Sequence, residues 1–191
     1  MDSDRFTRLS LVEIDPARDG VLIDLAYATA DNVTGRPIYR NPVCCLRREA
    51  HDALMRAVAL ARPIGYQILV FDAFRPQKAQ EVLWAFNPDP LQVADPVRGS
   101  NHTRGVAVDL TLVDTAIGRS LDMGTGFDAF CKESYHASTA VPAEAQANRF
   151  LLLGLMTAAG WTHIASEWWH YQLPGADWPL LSDDSAPASM M

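Results

Sequence analysis

Near the end of this 191-residue chain, the stretch SEWWHYQL, residues 166–173, sets Glu167 and His170 three positions apart around two tryptophans. An acid close before a histidine is half of a metal site, and the other half has to come from distant sequence. The remaining histidines are His51, His102, His136 and His163. Among them His102 has an acid at a suggestive distance on structured sequence, because SNHTRGVAVDL carries His102 just before Gly105 and Asp109 within the run that follows. His102, Asp109 and His170 supply two imidazoles and one carboxylate, a set that zinc accepts in catalytic sites when a fourth position stays open for water. Glu167 is then a spare carboxylate beside that position. Hydrolysis needs such a group, to take a proton from the attacking water and return it to the leaving amine.

Each half of this pattern is weak by spacing alone. A hydrogen-bonded loop histidine with a strand-edge aspartate is one bland alternative. Another is a pair of indoles plugging a core, with Glu167 and His170 as polar ornaments. The combination is stronger because the acid, the open ligand set and the aromatic clamp explain one another. His136 and His163 have no matching acid at useful spacing and are expected to be surface or hydrogen-bonded histidines.

The elements that must position these groups follow from periodicity. A strand is expected at about 21–28, followed by the loop TADNVTGRP. A helix over 48–62 repeats Ala50, Leu54, Ala57, Val58 and Ala61 at helical spacing. YQILVFDAF reads as a strand running into Arg75-Pro76, and QKAQEVLWAF as a helix with Ala79, Val82, Leu83 and Phe86 on one stripe. Residues 87–105 have no period. GVAVDLTLV then alternates, with Val106, Val108, Leu110 and Leu112 on one face and Ala107, Asp109 and Thr111 on the other.

After an irregular piece at about 114–141, a long helix is expected from Pro142 to about Ala159, closed by Gly160. WTHI and WWHYQL complete the sheet as a hairpin. Glu167 and His170 would point to opposite faces of one regular strand, so Glu167 belongs in the hairpin turn. The expected fold is α+β, one domain over 1–181 with a central, mainly antiparallel sheet flanked by helices, and a frayed tail over 182–191.

Composition bounds the rest. At 49% hydrophobic residues the chain can bury a single core. A net charge of −7 leaves no basic stripe for phosphates, so no nucleic-acid partner is expected. No apolar run of about 18 residues exists, and MDSDRFTRLSLVEID mixes charge where a secretory signal would be apolar. A soluble cytoplasmic protein is expected, without a membrane partner. Three cysteines, two of them the adjacent Cys44 and Cys45, fit reduced thiols. Nothing marks Cys131 as activated.

FDAFRP, SNHTRGVAVDLTL, DMGTGFD and SEWWHYQL, in that order, together with YATADNVTG, resemble the D-alanyl-D-alanine dipeptidases, the family of the glycopeptide-resistance dipeptidase and its bacterial relatives. The resemblance runs from about Asp24 to Leu181 and reaches the wider zinc D,D-peptidase and Hedgehog-like group. It implies a Hedgehog/D,D-peptidase-like fold and one Zn2+ per subunit on His102, Asp109 and His170. It also implies hydrolysis of D-Ala-D-Ala to two D-alanines, with Glu167 as general base and acid and Arg75 stabilising the transition state. Tyr27, Ser100 and Asp128 match positions around the substrate, Asp128 suiting the free α-ammonium.

Arg75 also has an independent case, since a guanidinium directly after a strand can enter a cleft and meet an oxyanion. Its alternative is a pairing with Asp72. Two other functions stay open. One is a D,D- or L,D-carboxypeptidase acting on muropeptides, and the other a zinc-stabilised binding domain without catalysis. A homo-oligomer is compatible with the sequence.

Overall fold

The alternation in GVAVDLTLV is realised as β5 (Ala107–Asp114), the strand around which the molecule is arranged. The computed structural model describes residues 11–175, 178–186 and 189–191, so most of the N-terminal stretch judged against a secretory signal lies outside the described residues. The chain runs through β1 (Leu11–Glu13), α1 (Pro16–Asp19), β2 (Leu22–Ile23), β3 (Cys45–Arg47), α2 (Arg48–Ala61), β4 (Tyr66–Asp72) and α3 (Gln77–Phe86) before β5. After it come β6 (Arg119–Ser120), α4 (Ala143–Ala158), β7 (Thr162–His163) and β8 (His170–Gln172). The main sheet has the order β2-β4-β5-β8-β7, with β6 beside the end of β5. Only the β2 pairing with β4 is parallel, so the sheet is mainly antiparallel as expected. A separate ribbon pairs β1 with β3.

The apolar row Val106, Val108, Leu110 and Leu112 is fully buried together with Ala50, Leu54 and Ala57 of α2 and Leu152 and Met156 of α4. These two helices cover one side of the sheet. Burying each such aliphatic side chain contributes roughly 1.5–3 kcal/mol, which makes this cluster the main source of stability. A smaller cluster joins Tyr27, Tyr39, Phe74, and Ala79 and Leu83 of α3. No described helix is long and apolar enough to cross a membrane.

Two expectations, the 21–28 strand and His136, are corrected. The strand expected over 21–28 pairs as β2 only through Ile23, and residues Ala26–Ala28 wind into a 3-10 turn that buries Tyr27. The described part of the tail lies against the smaller cluster. Met190 is buried in the smaller cluster, and its carbonyl accepts from the Arg40 and Asn41 amides at 2.8 and 3.3 Å.

His136 is neither on the surface nor hydrogen-bonded through its ring. The ring is buried edge-on to His163 and Tyr171, with no hydrogen-bond partner for either nitrogen among the described residues. Burial, with the neighbouring His163, pushes its pKa down to about 4 and keeps it neutral. His163 is exposed, as is Cys131, while Cys44 and Cys45 are buried free thiols.

Candidate active site and metal centre

Asp109 and His170 face each other directly across the β5–β8 pair. His102 arrives from the turn before β5. There Gly105 has a left-handed φ of 69°, and its amide closes onto the His102 carbonyl at 2.9 Å. A side chain at Gly105 would also crowd the end of Leu11 at 2.9 Å, but it is the left-handed φ that calls for glycine. Ser100 accepts the His102 amide on its Oγ at 3.2 Å, which pins the other side of the turn.

The result is a small triangle of ligand atoms. His102 Nε2 lies 3.2 Å from His170 Nδ1 and 3.3 Å from Asp109 Oδ2, and His170 Nδ1 lies 3.1 Å from Asp109 Oδ1. Ligands about 2.0–2.1 Å from a tetrahedral zinc stand roughly 3.3 Å apart, so the spacing fits that ion. The outer nitrogens settle the tautomers. His102 Nδ1 donates to the Ala73 carbonyl at 2.8 Å, and His170 Nε2 donates to Gln172 Oε1 at 3.0 Å. With its outer nitrogen donating, each imidazole in its neutral form turns a lone pair toward the Asp109 carboxylate, an arrangement that a cation completes. Burial works against the Asp109 charge, but the positive charge that the two imidazoles carry when protonated outweighs it and holds the carboxyl far below the usual range, as bound metal would in their place. Among the described residues, His102, Asp109 and His170 form the group able to hold a metal.

One cavity of about 250 Å³ is lined by all three and also by Tyr27, Arg75, Ser100, Asp128 and Glu167. Every site residue expected from the sequence therefore faces the same space, which is smaller than the pockets typical of drug-sized ligands. Glu167 sits in the connection between β7 and β8, as expected. That connection is fastened by the Trp168 amide on the Ser134 carbonyl at 3.1 Å and by the His136 amide on the Ala165 carbonyl at 3.0 Å. Trp168 is buried, with its Nε1 donating to Thr125 Oγ1 at 2.9 Å, and Trp169 packs edge-on against it while lining the cavity. The two indoles thus hold Glu167 and His170 in place. Burial pushes the Glu167 carboxyl up to about 7, with His170 and Arg75 opposing and Asp109 reinforcing the shift.

Arg75 pairs with Asp72, as its alternative reading expected, and also lines the cavity. Its Nε donates to Asp72 Oδ2 at 2.9 Å, while Nη2 stands 3.5 Å from Asp109 Oδ2 and the guanidinium lies 5.0 Å over the Tyr27 ring. Asp72 comes to this place through a bulge. With Val70 opposite Leu110, a regular ladder would pair Asp72 with Val108 and aim it into the core; the register shift sets it opposite Asp109 instead. On the far wall Asp128 has a left-handed φ of 57° and accepts from the Tyr27 hydroxyl at 2.6 Å. Burial pushes this carboxyl up to about 7, against the pull of the Tyr27 hydrogen bond.

Sequence reasoning overlooked Gln172, Gln80 and Tyr39. Gln172 was findable, because a residue two positions after His170 on a strand shares its face. Gln80 accepts from Arg75 Nη1 at 3.0 Å, and Tyr39 donates to Asp72 Oδ1 at 2.8 Å. Neither had a spacing signal.

A family model described as D-ala-D-ala dipeptidase matches residues 7–186. The D-alanyl-D-alanine dipeptidase of Escherichia coli (strain K12) is 48% identical over 162 residues, covering 84% of this chain and 83% of that protein. The D-alanyl-D-alanine dipeptidase of Enterococcus faecium is 31% identical over 186 residues, covering 87% and 92%. Among solved structures, the LdcB LD-carboxypeptidase is similar with a TM-score of 0.50 at 18% identity, over 87% of this chain and 68% of that one, a likeness of fold. With a family model spanning nearly its whole length and relatives this similar, the chain belongs to the D-ala-D-ala dipeptidase family.

Proposed function

We propose that this chain is a zinc-dependent dipeptidase that hydrolyses free D-Ala-D-Ala to two D-alanines in one catalytic domain, residues 1–181, onto which the described tail folds back. The observation that carries the reading is the convergence of two buried imidazoles and a buried carboxylate on one point, beside a half-buried carboxylate in one small cavity. The dipeptide comes from the relatives' names; the site's chemistry is compatible with it.

When bound at His102, Asp109 and His170, zinc supplies a Lewis acid that polarises the scissile carbonyl and acidifies water. Glu167 takes the proton of the attacking water on a carboxylate oxygen and delivers it to the leaving nitrogen. A carboxyl that burial holds near neutrality can do both, since it neither grips nor refuses the proton at working pH. Arg75 presents its guanidinium to the carbonyl oxygen as that atom gains charge, and Asp72 and Gln80 keep the fork from rotating away. Asp128, steadied by Tyr27, receives the substrate ammonium, and Ser100 offers a hydroxyl from the His102 turn. An ammonium beside Asp128 restores the charge that burial suppresses there, so an N-blocked peptide forfeits that pairing.

A cytoplasmic location fits a free dipeptide substrate, no nucleic-acid partner is proposed, and a homo-oligomer is compatible with this site. The test is release of D-alanine from D-Ala-D-Ala, with and without a chelator, beside L-Ala-L-Ala, N-acetyl-D-Ala-D-Ala and a pentapeptide ending in D-Ala-D-Ala. Chelator-sensitive cleavage of the free dipeptide alone is expected. Efficient trimming of the pentapeptide would move the chain to the carboxypeptidases, and no cleavage with zinc bound would leave a binding domain.

A further inference from the structure

One wall of the cavity is made by the irregular segment after α3, where Pro90, Leu91, Gln92, Val93 and Ala94 face the substrate space. Two amides on α3 hold this segment. Gln77 Nε2 donates to the Pro96 carbonyl at 2.8 Å, and Gln80 Nε2 donates to the Ala94 carbonyl at 2.7 Å. Gln80 is wholly buried, and its other end accepts from Arg75 Nη1 at 3.0 Å. A single amide therefore bridges the wall and the guanidinium, with its oxygen and its nitrogen both engaged.

The orientation of Arg75 depends on such contacts. Its Nε is held by Asp72, and Tyr27 lies beneath its plane. Those two restrain the base of the fork. Gln80 restrains Nη1, at the tip. Without it the fork can swing about Nε toward Asp109, whose carboxylate lies 3.5 Å from Nη2, and a guanidinium drawn to that charge has fewer donors for a substrate oxygen.

We propose that Gln80 is a positioning residue that fixes Arg75 and the 90–94 wall relative to each other, so that the shape of the substrate space and the aim of the transition-state donor are set together. The inference rests on the reading of Arg75 given above. In Gln80→Met the amide is lost at little change in volume. In Gln80→Glu an acceptor remains for Arg75, but a carboxylate oxygen is set against the Ala94 carbonyl.

The experiment uses the zinc-loaded enzyme with D-Ala-D-Ala, and kcat and KM are measured for Gln80→Met, Gln80→Glu, Arg75→Ala and the Arg75→Ala/Gln80→Met double variant, with zinc content measured for each. For Gln80→Met, kcat should fall about 10- to 100-fold and KM should rise as the wall loses its anchor, with zinc retained, the fall in kcat being the size expected when a catalytic group is misplaced by a fraction of an ångström or more. In the Arg75→Ala background the same substitution should cost nothing further in kcat, because two groups acting through one contact are not additive. Gln80→Glu should recover most of kcat, raise KM and speed proteolytic cleavage within 87–99. This variant carries the test if Gln80→Met does not fold.

A Gln80→Met loss that multiplies with that of Arg75→Ala would overturn the proposal, because Gln80 would then act elsewhere. So would a kcat in Gln80→Glu as low as in Gln80→Met, or an undiminished kcat in Gln80→Met. Normal turnover in Arg75→Ala would sink the Arg75 reading and this inference with it. An inactive Arg75→Ala beside a normal Gln80→Met removes the inference alone.

Discussion

The two faces of β5 are both buried, yet they are built from opposite chemistry. On one side Val108, Leu110 and Leu112 join the apolar cluster that α2 and α4 complete. On the other, Asp109 shares its surroundings with Asp72, Arg75, His102 and His170, all less than a tenth exposed. The first face needs no precise partner, because dispersion and water exclusion are non-directional. The second is tenable only because nearly every atom in it has a directional partner, from the Ala73 carbonyl behind His102 to Gln172 behind His170. The difference teaches that one strand can hold the fold with one side and, with the other, keep charges assembled that would cost stability if any partner were missing.

Substitutions on the two faces should therefore fail in different ways. The largest effect is expected at the ligands: His102→Ala, Asp109→Ala and His170→Ala should each lose zinc and, with it, hydrolysis. Full zinc occupancy in all three, read by metal analysis, would break the comparison outright. Leu110→Ala, one residue away on the apolar side, should instead cost about 2–5 kcal/mol of unfolding free energy while the folded fraction keeps its zinc and turnover. Denaturant titration alongside kinetics checks both halves.

Glu167→Gln sharpens the contrast from the other direction. Turnover should drop at least about a hundredfold with zinc and fold intact, because an amide cannot accept the water's proton. Near-normal turnover would remove Glu167 as the base. A smaller effect is expected from the tail, where Met190→Ala should lower stability by about 2 kcal/mol, the low end for a buried methionine, by loosening the cluster that includes Tyr27 and Tyr39. An unchanged melting temperature would mean that the docked tail contributes nothing to the fold.

The smallest effect is one of pH. Glu167 and Asp128 have folded pKa values raised to about 7 by burial, so in the metal-free protein they keep protons that the unfolded chain releases above about pH 4–4.5. The folded state then binds more protons than the unfolded state across that window, and stability should decline as pH rises from about 4.5 to 7. Glu167→Gln should make the decline shallower, with Asp128 supplying what remains. Thermal melts of the metal-free proteins at several pH values test this, and identical slopes would place Glu167 in a more solvated setting than its burial implies.

Much of this arrangement was legible before folding was considered. The alternation of β5 separated the Val and Leu row from Asp109, the 3.6-residue period located α2 and α3 nearly to the residue, and the parity of a strand put Glu167 in the hairpin connection. The docking of Met190 had no signal in the polar composition of the tail, because its partners are core residues and amides far away in sequence. His136 was misread for a related reason, as its burial is decided by Tyr171 and His163 and not by its neighbours in sequence.

By itself the sequence determined which residue types were available for hydrolysis and which faces of the strands and helices would carry them, because period and side-chain chemistry are local properties of the chain. The family followed from four short motifs in order. Tertiary structure alone decided that His102, separated from His170 by 68 positions, comes within 3.2 Å of it, that a bulge turns Asp72 toward Asp109, and that Gln80 joins Arg75 to the cavity wall. Those are matters of strand register and of helix placement on a sheet. They are fixed by how the whole core packs, and no local pattern encodes them.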